Sequence, residues 1–413
     1  MRNALSPLAR IIVAFIAVFG LVAVALPADA AIDNAVVVPS PNPAPTEDNF
    51  FDSVSCVSAS WCIAVGAYEN GGGYNQTLIE LWDGSNWTIQ ASPNSSSTDN
   101  SYLESVSCVS ESWCVAVGYF DPGGTNQTLI LEWDGASWSI QSSPNVSPTE
   151  TNELYSVSCL SASFCVAVGD HYNGNFLQTL VQTWDGINWS IQNSANTSNT
   201  ETNYLFSVSC LSASSCVAVG AIWRSGWNQP MAQVWDGSSW TMQSIPTFSP
   251  TEDNYLEGLS CVSASMCVAV GAHSINGGTV YQTMIQLWDG SNWSIQPSPS
   301  TLTTENNYLW SVSCVSVSSC VAVGNYYVGS NTRTLVEVWD GNTWTIQSSP
   351  NPEPTANNRL ESVACVSDWQ CVAVGSYTPS STQTLVLSLT GPAPPTTTTT
   401  TPTVDPVVPA FTG

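Results

Sequence analysis

The chain has 413 residues, a formal net charge of −26, and five lysine and arginine residues against 31 aspartates and glutamates. A surface of that sign repels nucleic acid and gains nothing from anionic lipid, so both classes of partner are excluded. The expectation is a soluble, weakly interacting protein.

The N-terminus reads MRNALSPLAR, then runs apolar from Ile11 to Leu26, then reaches Ala28-Asp29-Ala30. A basic start, a short apolar stretch and an A-x-A site form a secretory signal peptide over residues 1–30. The apolar run is too short for a comfortable membrane span, and no later segment is apolar enough to cross a bilayer. The mature chain is therefore expected to be secreted, free or associated with a cell surface, without a membrane span. It has no lysine, and its only cations besides the two histidines are Arg224, Arg333 and Arg359.

Export accounts for the cysteines. All 14 follow the signal as seven C-x5-C pairs: Cys56 with Cys62, Cys108 with Cys114, Cys159 with Cys165, Cys210 with Cys216, Cys261 with Cys267, Cys314 with Cys320, and Cys365 with Cys371. An even count at fixed spacing in an oxidising compartment means disulfides. A metal site would need converging ligands, but successive pairs stand about fifty residues apart and only His171 and His273 could assist. A redox role would want a cation beside the thiolate, and no pair has one.

The pairs mark a repeat. Successive copies start 51 to 53 residues apart, and one copy reads LESVSCVSESWCVAVGYFDPGGTNQTLILEWDGASWSIQSSPN. It divides into four strand-like pieces, LESVSC, CVAVG, QTLILEW and WSIQSSP, separated by turn-rich text, with no helical periodicity. Four strands per repeat of this length is the arithmetic of a β-propeller blade. Small residues such as Ser105 and Ser107 suit the crowded strand nearest the axis, and CVAVG suits a strand sandwiched between blades.

A linear stack of β-units is the competing architecture, and the two ends of the repeat region decide against it. The seventh repeat stops at QTLVLSLTG without a final strand, while AVVVPSPNPAPT from Ala35 matches WTIQSSPNPEPT from Trp344 in register. Six repeats carry W-D-G-x-x-W; in the seventh, Leu389 replaces the first tryptophan and Ala35 the second. Both halves of one cross-strand pair are lost together, as expected if the N-terminal segment completes the last blade. The fold is expected to be all-β, a seven-bladed propeller over residues 31–391 with a split closing blade. Residues 392–413, PAPPTTTTTTPTVDPVVPAFTG, form a Thr/Pro-rich tail without a core.

The text SCxSxSxCVAVG … WDGxxWxIQxSPN resembles kelch repeats and the BNR/YVTN-type propeller repeats of secreted bacterial proteins, most closely those of actinobacterial type. The resemblance covers residues 35–391 and implies the fold. It implies no activity, because the details depart: Gly118 is followed by Tyr119 where kelch repeats have a second glycine, and Asp83 and Gly84 are adjacent where an Asp-box separates them.

The cysteine and W-D-G turns share one face of such a propeller and hardly vary. The loops between the second and third strands and those joining blades share the other, and they vary: YENGGGYN, FDPGG, HYNGNF, IWRSGWNQP, HSINGGTVY. Variable loops on a fixed scaffold are where binding resides. Just before the innermost strand stands a ring of Phe50, Tyr102, Glu153, Tyr204, Tyr255, Tyr308 and Arg359. Tyr102, Tyr204, Tyr255, Tyr308 and Arg359, with Arg224 and Arg333 from the same face, are the expected ligand-binding residues, stacking on a sugar or peptide. No catalytic residues are assigned: the acids stand one per blade with no singular pair, and a glycosidase needs two carboxyls at a set separation. No metal site and no cofactor are assigned. Ca²⁺ is the weaker alternative, on the carboxylates of the blade-joining loops, which lack a D-x-D-x-D pattern. The expected function is a monomeric, non-catalytic binding propeller for an extracellular glycan, cell wall or protein. The alternative is a polysaccharide-active glycosidase or lyase using acids and arginines of the same face.

Overall fold

A computed structural model describes residues 32–392. The expected signal peptide lies outside the described residues, as does all but the first residue of the Thr/Pro tail. Seven four-stranded antiparallel sheets form a β-propeller, and there is no helix among the described residues. Blade 1 is typical: Asn49–Ser58 innermost, then Trp61–Glu69, Asn75–Trp82 and the outer strand Trp87–Ile89. The chain closes as its ends require. Asn34–Val37 pairs with Gln383–Thr390 as the outer strand of blade 7, with Ala35 opposite Leu389. The bulk missing from that pair is supplied by Ile32, 2% exposed in one cluster with Leu389, Val338 and Ala35.

The core lies between blades rather than within one. Val65 and Ile79 of blade 1 pack on Leu103 and Leu129 of blade 2, and each interface repeats the arrangement. Removing such aliphatic side chains from water contributes about 1.5–3 kcal/mol apiece.

All seven disulfides form, each between residues directly opposite on the first two strands, as with Cys56 and Cys62. The serines of SVSC have a second use besides small size. Innermost strands expose an edge of backbone N–H groups, and most of these serines accept one from the next blade. Val106 N–H donates to Ser53 Oγ at 3.2 Å and Cys108 N–H to Ser55 Oγ at 3.0 Å. The Ser55-type bond recurs at five further junctions. At the seventh, blade 7 to blade 1, Ala364 stands in place of the serine.

The W-D-G-x-x-W segment makes a tight hairpin. Asp83 Oδ1 accepts the N–H groups of Ser85 and Asn86 at 2.8 Å, which holds its carboxyl below the usual range. Gly84 has φ of 89°, and a Cβ there would lie 2.9 Å from that of Ser60. Trp82 and Trp87 face each other across the strands at 5.8 Å. The first indole also donates to the Ala59 carbonyl at 3.1 Å, tying the two turns of this face together. Blade 7 has no such indole, and Gly391 N–H donates to Trp369 O at 2.9 Å instead.

Candidate functional site

The innermost strands carry the site because each has an extra residue. Pairing with the second strand slips between Phe51 and Ser53, and at the equivalent point of every other blade. The residue left without a cross-strand partner is, in blade order, Asp52, Glu104, Tyr155, Phe206, Glu257, Trp310 and Glu361. A bulge re-aims the side chain it carries. These seven gather around the axis, two residues below the mouth ring foreseen in the sequence. Tyr155 meets Phe206 of the next blade at 5.9 Å. Charges from non-adjacent blades also affect one another: Glu361 raises the pKa of Glu257 and of Glu104. The expectation that the acids stand apart, one per blade, is corrected here, since the bulge brings four of them into one throat.

The throat is half acidic and half aromatic. Asp52 and Glu104 are pushed up, by burial first and by neighbouring carboxylates second. Burial, helped by Glu361, pushes Glu257 up to about 7. Glu361 is ion-paired with Arg359, the one member of the mouth ring that is cationic. On the other side, Phe206 lies under Tyr204 with ring centroids 5.4 Å apart and 17° between planes, and Trp310 under Tyr308 at 5.2 Å and 8°. Trp310 Nε1 donates to Asn325 Oδ1 at 2.7 Å, which fixes the indole. Between them, Tyr204, Phe206, Ala221, Asn228, Tyr255, Glu257 and Trp310 line a pocket of about 320 Å³.

Of the residues expected to bind ligand, Tyr204 and Tyr255 line this pocket and Tyr308 backs its indole. Tyr102 stands on the acidic side, its hydroxyl accepting from Asn75 Nδ2 at 2.8 Å and its ring against Tyr119 at 5.1 Å. Arg359 is held by Glu361. The other two arginines lie away from the throat. Arg224 makes a two-pronged pair with Glu201 at 2.8 and 2.9 Å. Arg333 occupies the place that Gln76, Gln127, Gln178, Gln229, Gln282 and Gln383 hold in the other blades. Like them it donates to the blade-joining loop, here to Ala356 O at 2.9 Å and to Pro354 O, and to Thr332 O on its own strand. The loop asparagines are likewise internal braces: Asn152 Nδ2 donates to Ser147 O and Glu150 O, and its Oδ1 accepts from Val146 N–H. The acids of these loops keep their carboxylates on the surface.

Blade 3 does carry a singular acid pair, a second correction. Glu153 lies directly opposite Asp170. Asp170 is 0% exposed with neither oxygen bonded, and burial together with Glu153 pushes it up to about 8. Glu153 accepts from the Tyr155 hydroxyl and from Asn126 Nδ2. With no exposed surface, Asp170 cannot touch a substrate; it stands behind Glu153 as a neutral acid.

No family model and no curated protein matches the chain. Among solved structures, it is similar to a protein of unknown function from Dyadobacter fermentans, at 10% identity over 89% of this chain and 100% of that one, with a TM-score of 0.49. It is also similar to Sqt1 from Chaetomium thermophilum, at 11% identity over 80% of both chains and a TM-score of 0.46. A second structure shows Sqt1 bound to the N-terminus of ribosomal protein L10, at 12% identity over 79% and 82% and a TM-score of 0.46. Likeness this distant says nothing about a ligand of this chain. Among the described residues, no helix is long and apolar enough to cross a membrane.

Proposed function

We propose that the protein is a secreted, non-catalytic recognition propeller of the kelch/BNR-like bacterial kind, holding an extracellular polymer (glycan, cell-wall material or a protein segment) at its axial throat. One observation carries the reading: the bulged position of the innermost strand changes chemical class from blade to blade, and its side chains converge beside an open aromatic pocket. Repetition supplies scaffold, and departures from it mark function. Seven clipped blades hold the throat rigid, so binding costs little ordering entropy. The disulfides and the signal peptide together support an extracellular setting.

A hydrolase is the second reading, favoured by the convergence of Asp52 and Glu104, both pushed up by burial, with Glu361, which is paired to Arg359. One experiment separates the two. The purified, oxidised protein is titrated with soluble polysaccharides, cell-wall fragments and secreted proteins, and each mixture is assayed for released products. Saturable binding without product, weakened by Trp310→Ala, supports recognition. Product release abolished by Glu104→Gln establishes the hydrolase, and no binding anywhere on the panel removes the reading.

A further inference from the structure

Around the throat the order of side chains is acid, acid, Tyr, Phe, acid, Trp, acid. Glu257 is the acid flanked by aromatic residues on both sides, Phe206 from blade 4 and Trp310 from blade 6, and all three line one pocket with Tyr204 and Tyr255. A carboxylate between aromatic faces is the arrangement that attracts an organic cation, through charge and through the ring quadrupoles. The protein itself supplies none. Among the described residues Arg224 is paired with Glu201 and Arg359 with Glu361, Arg333 is spent on backbone carbonyls, and there is no lysine. Nor does the throat suit a metal ion, since no three of the described acids, histidines or cysteines stand close enough to share one.

We propose that this pocket binds the cationic side chain of a lysine or arginine in an exogenous basic peptide, with Glu257 as counter-charge and Phe206 and Trp310 as the walls. The proposal rests on the recognition reading above and names its ligand class. The stem matters to the choice. Glu257 lies two residues below Tyr255, so a cation must pass the mouth to reach it. A lysine or arginine side chain carries its charge at the end of a slender chain and can do so. The amine of an aminosugar sits directly on a ring that is linked on both sides.

The test uses the oxidised protein and fluorescein-labelled Gly/Ser heptapeptides carrying one central lysine, arginine or norleucine, at about 0.15 M salt so that the general acidity of the surface is screened. Anisotropy is expected to show saturable binding of the lysine or arginine peptide and at least tenfold weaker binding of the norleucine peptide. Glu257→Gln and Trp310→Ala should each weaken the cationic peptide at least tenfold, while Glu111→Gln, on the opposite face, leaves it unchanged. Circular dichroism confirms that each variant is folded. Equal binding of norleucine, or no effect of Glu257→Gln, overturns the proposal. Binding of a glucosamine oligomer in place of the peptides, or of neutral oligosaccharides alone, overturns it while leaving the recognition reading intact provided Trp310→Ala abolishes that binding. Absence of every ligand from the throat overturns both.

Discussion

In the lower half of each innermost strand the side chains repeat almost without change: a serine bonds to the next blade and a half-cystine clips the strand to its neighbour. In the upper half, one to four residues away, the bulged position runs through Asp, Glu, Tyr, Phe, Glu, Trp and Glu. The two halves share one strand and one environment of crowded backbone. They differ in what their side chains face. A serine in the lower half meets the backbone of an adjacent blade, so the same residue solves the same problem at six of the seven junctions. A bulged side chain meets the axis and all the others, so seven copies of one residue would crowd or repel. Uniformity is the mark of contact between neighbours, and divergence the mark of contact across the axis.

The comparison can be broken with pH before any mutation. Glu80 and Glu337 occupy a fully buried inter-blade position where Gln182, Gln233 and Gln286 donate to the preceding blade at 2.8 to 3.0 Å. Burial pushes both acids up to about 8, and Asp170 with them. Between the ordinary carboxylate range and about pH 8 the folded chain therefore holds more protons than the unfolded one, and stability falls as pH rises. His171 and His273 act the other way, since burial lowers them and they resist protonation below about pH 6.5, but they are only two. The expected loss from pH 5 to pH 8 is on the order of several kcal/mol, read as a drop in Tm of several degrees. The double variant Glu80→Gln, Glu337→Gln should flatten the profile; a wild-type Tm that is level or rises over this range would refute the assignment.

Smaller effects sharpen the contrast within the strand. Replacing Cys108 and Cys114 together by serine should cost about 2 kcal/mol in denaturant unfolding, the worth of clipping a short loop. Ser53→Ala leaves the buried Val106 N–H without its acceptor and should cost about 1–2 kcal/mol. The reverse change is available at the closing seam, where Ala364→Ser supplies the missing seventh acceptor for Cys56 N–H and should stabilise by about 0.5–1 kcal/mol. Substitutions at the bulge, such as Phe206→Ala, should change stability less and ligand binding more.

Most of the scaffold was legible in the sequence, because it is written seven times. The spacing of the cysteines gave the blade count, and the paired loss at Ala35 and Leu389 gave the closure. Ile32 was not legible: nothing in its neighbourhood says that it fills the place of a tryptophan. The throat was missed for a specific reason. Simple alternation sets Glu104 apart from Leu103 and Ser105 as one more polar residue of an edge strand, and a bulge, which overrides alternation, has no letter of its own. A signal was nonetheless present, since the residue between the large apolar residue and the first serine of LxSVSC runs through acids and aromatics while its neighbours in the motif hardly vary. Arg333 could have been recognised as a brace by the glutamines that hold its position in six other blades.

Whether bulged residues from blades far apart in sequence meet at the axis can be read by following the Glu257 carboxyl by NMR titration in protein labelled at glutamate side chains. The midpoint is expected near 7, raised by burial and by Glu361, and should move down in Glu361→Gln while staying above the ordinary glutamate range. A midpoint at the ordinary value that ignores Glu361 would contradict that convergence.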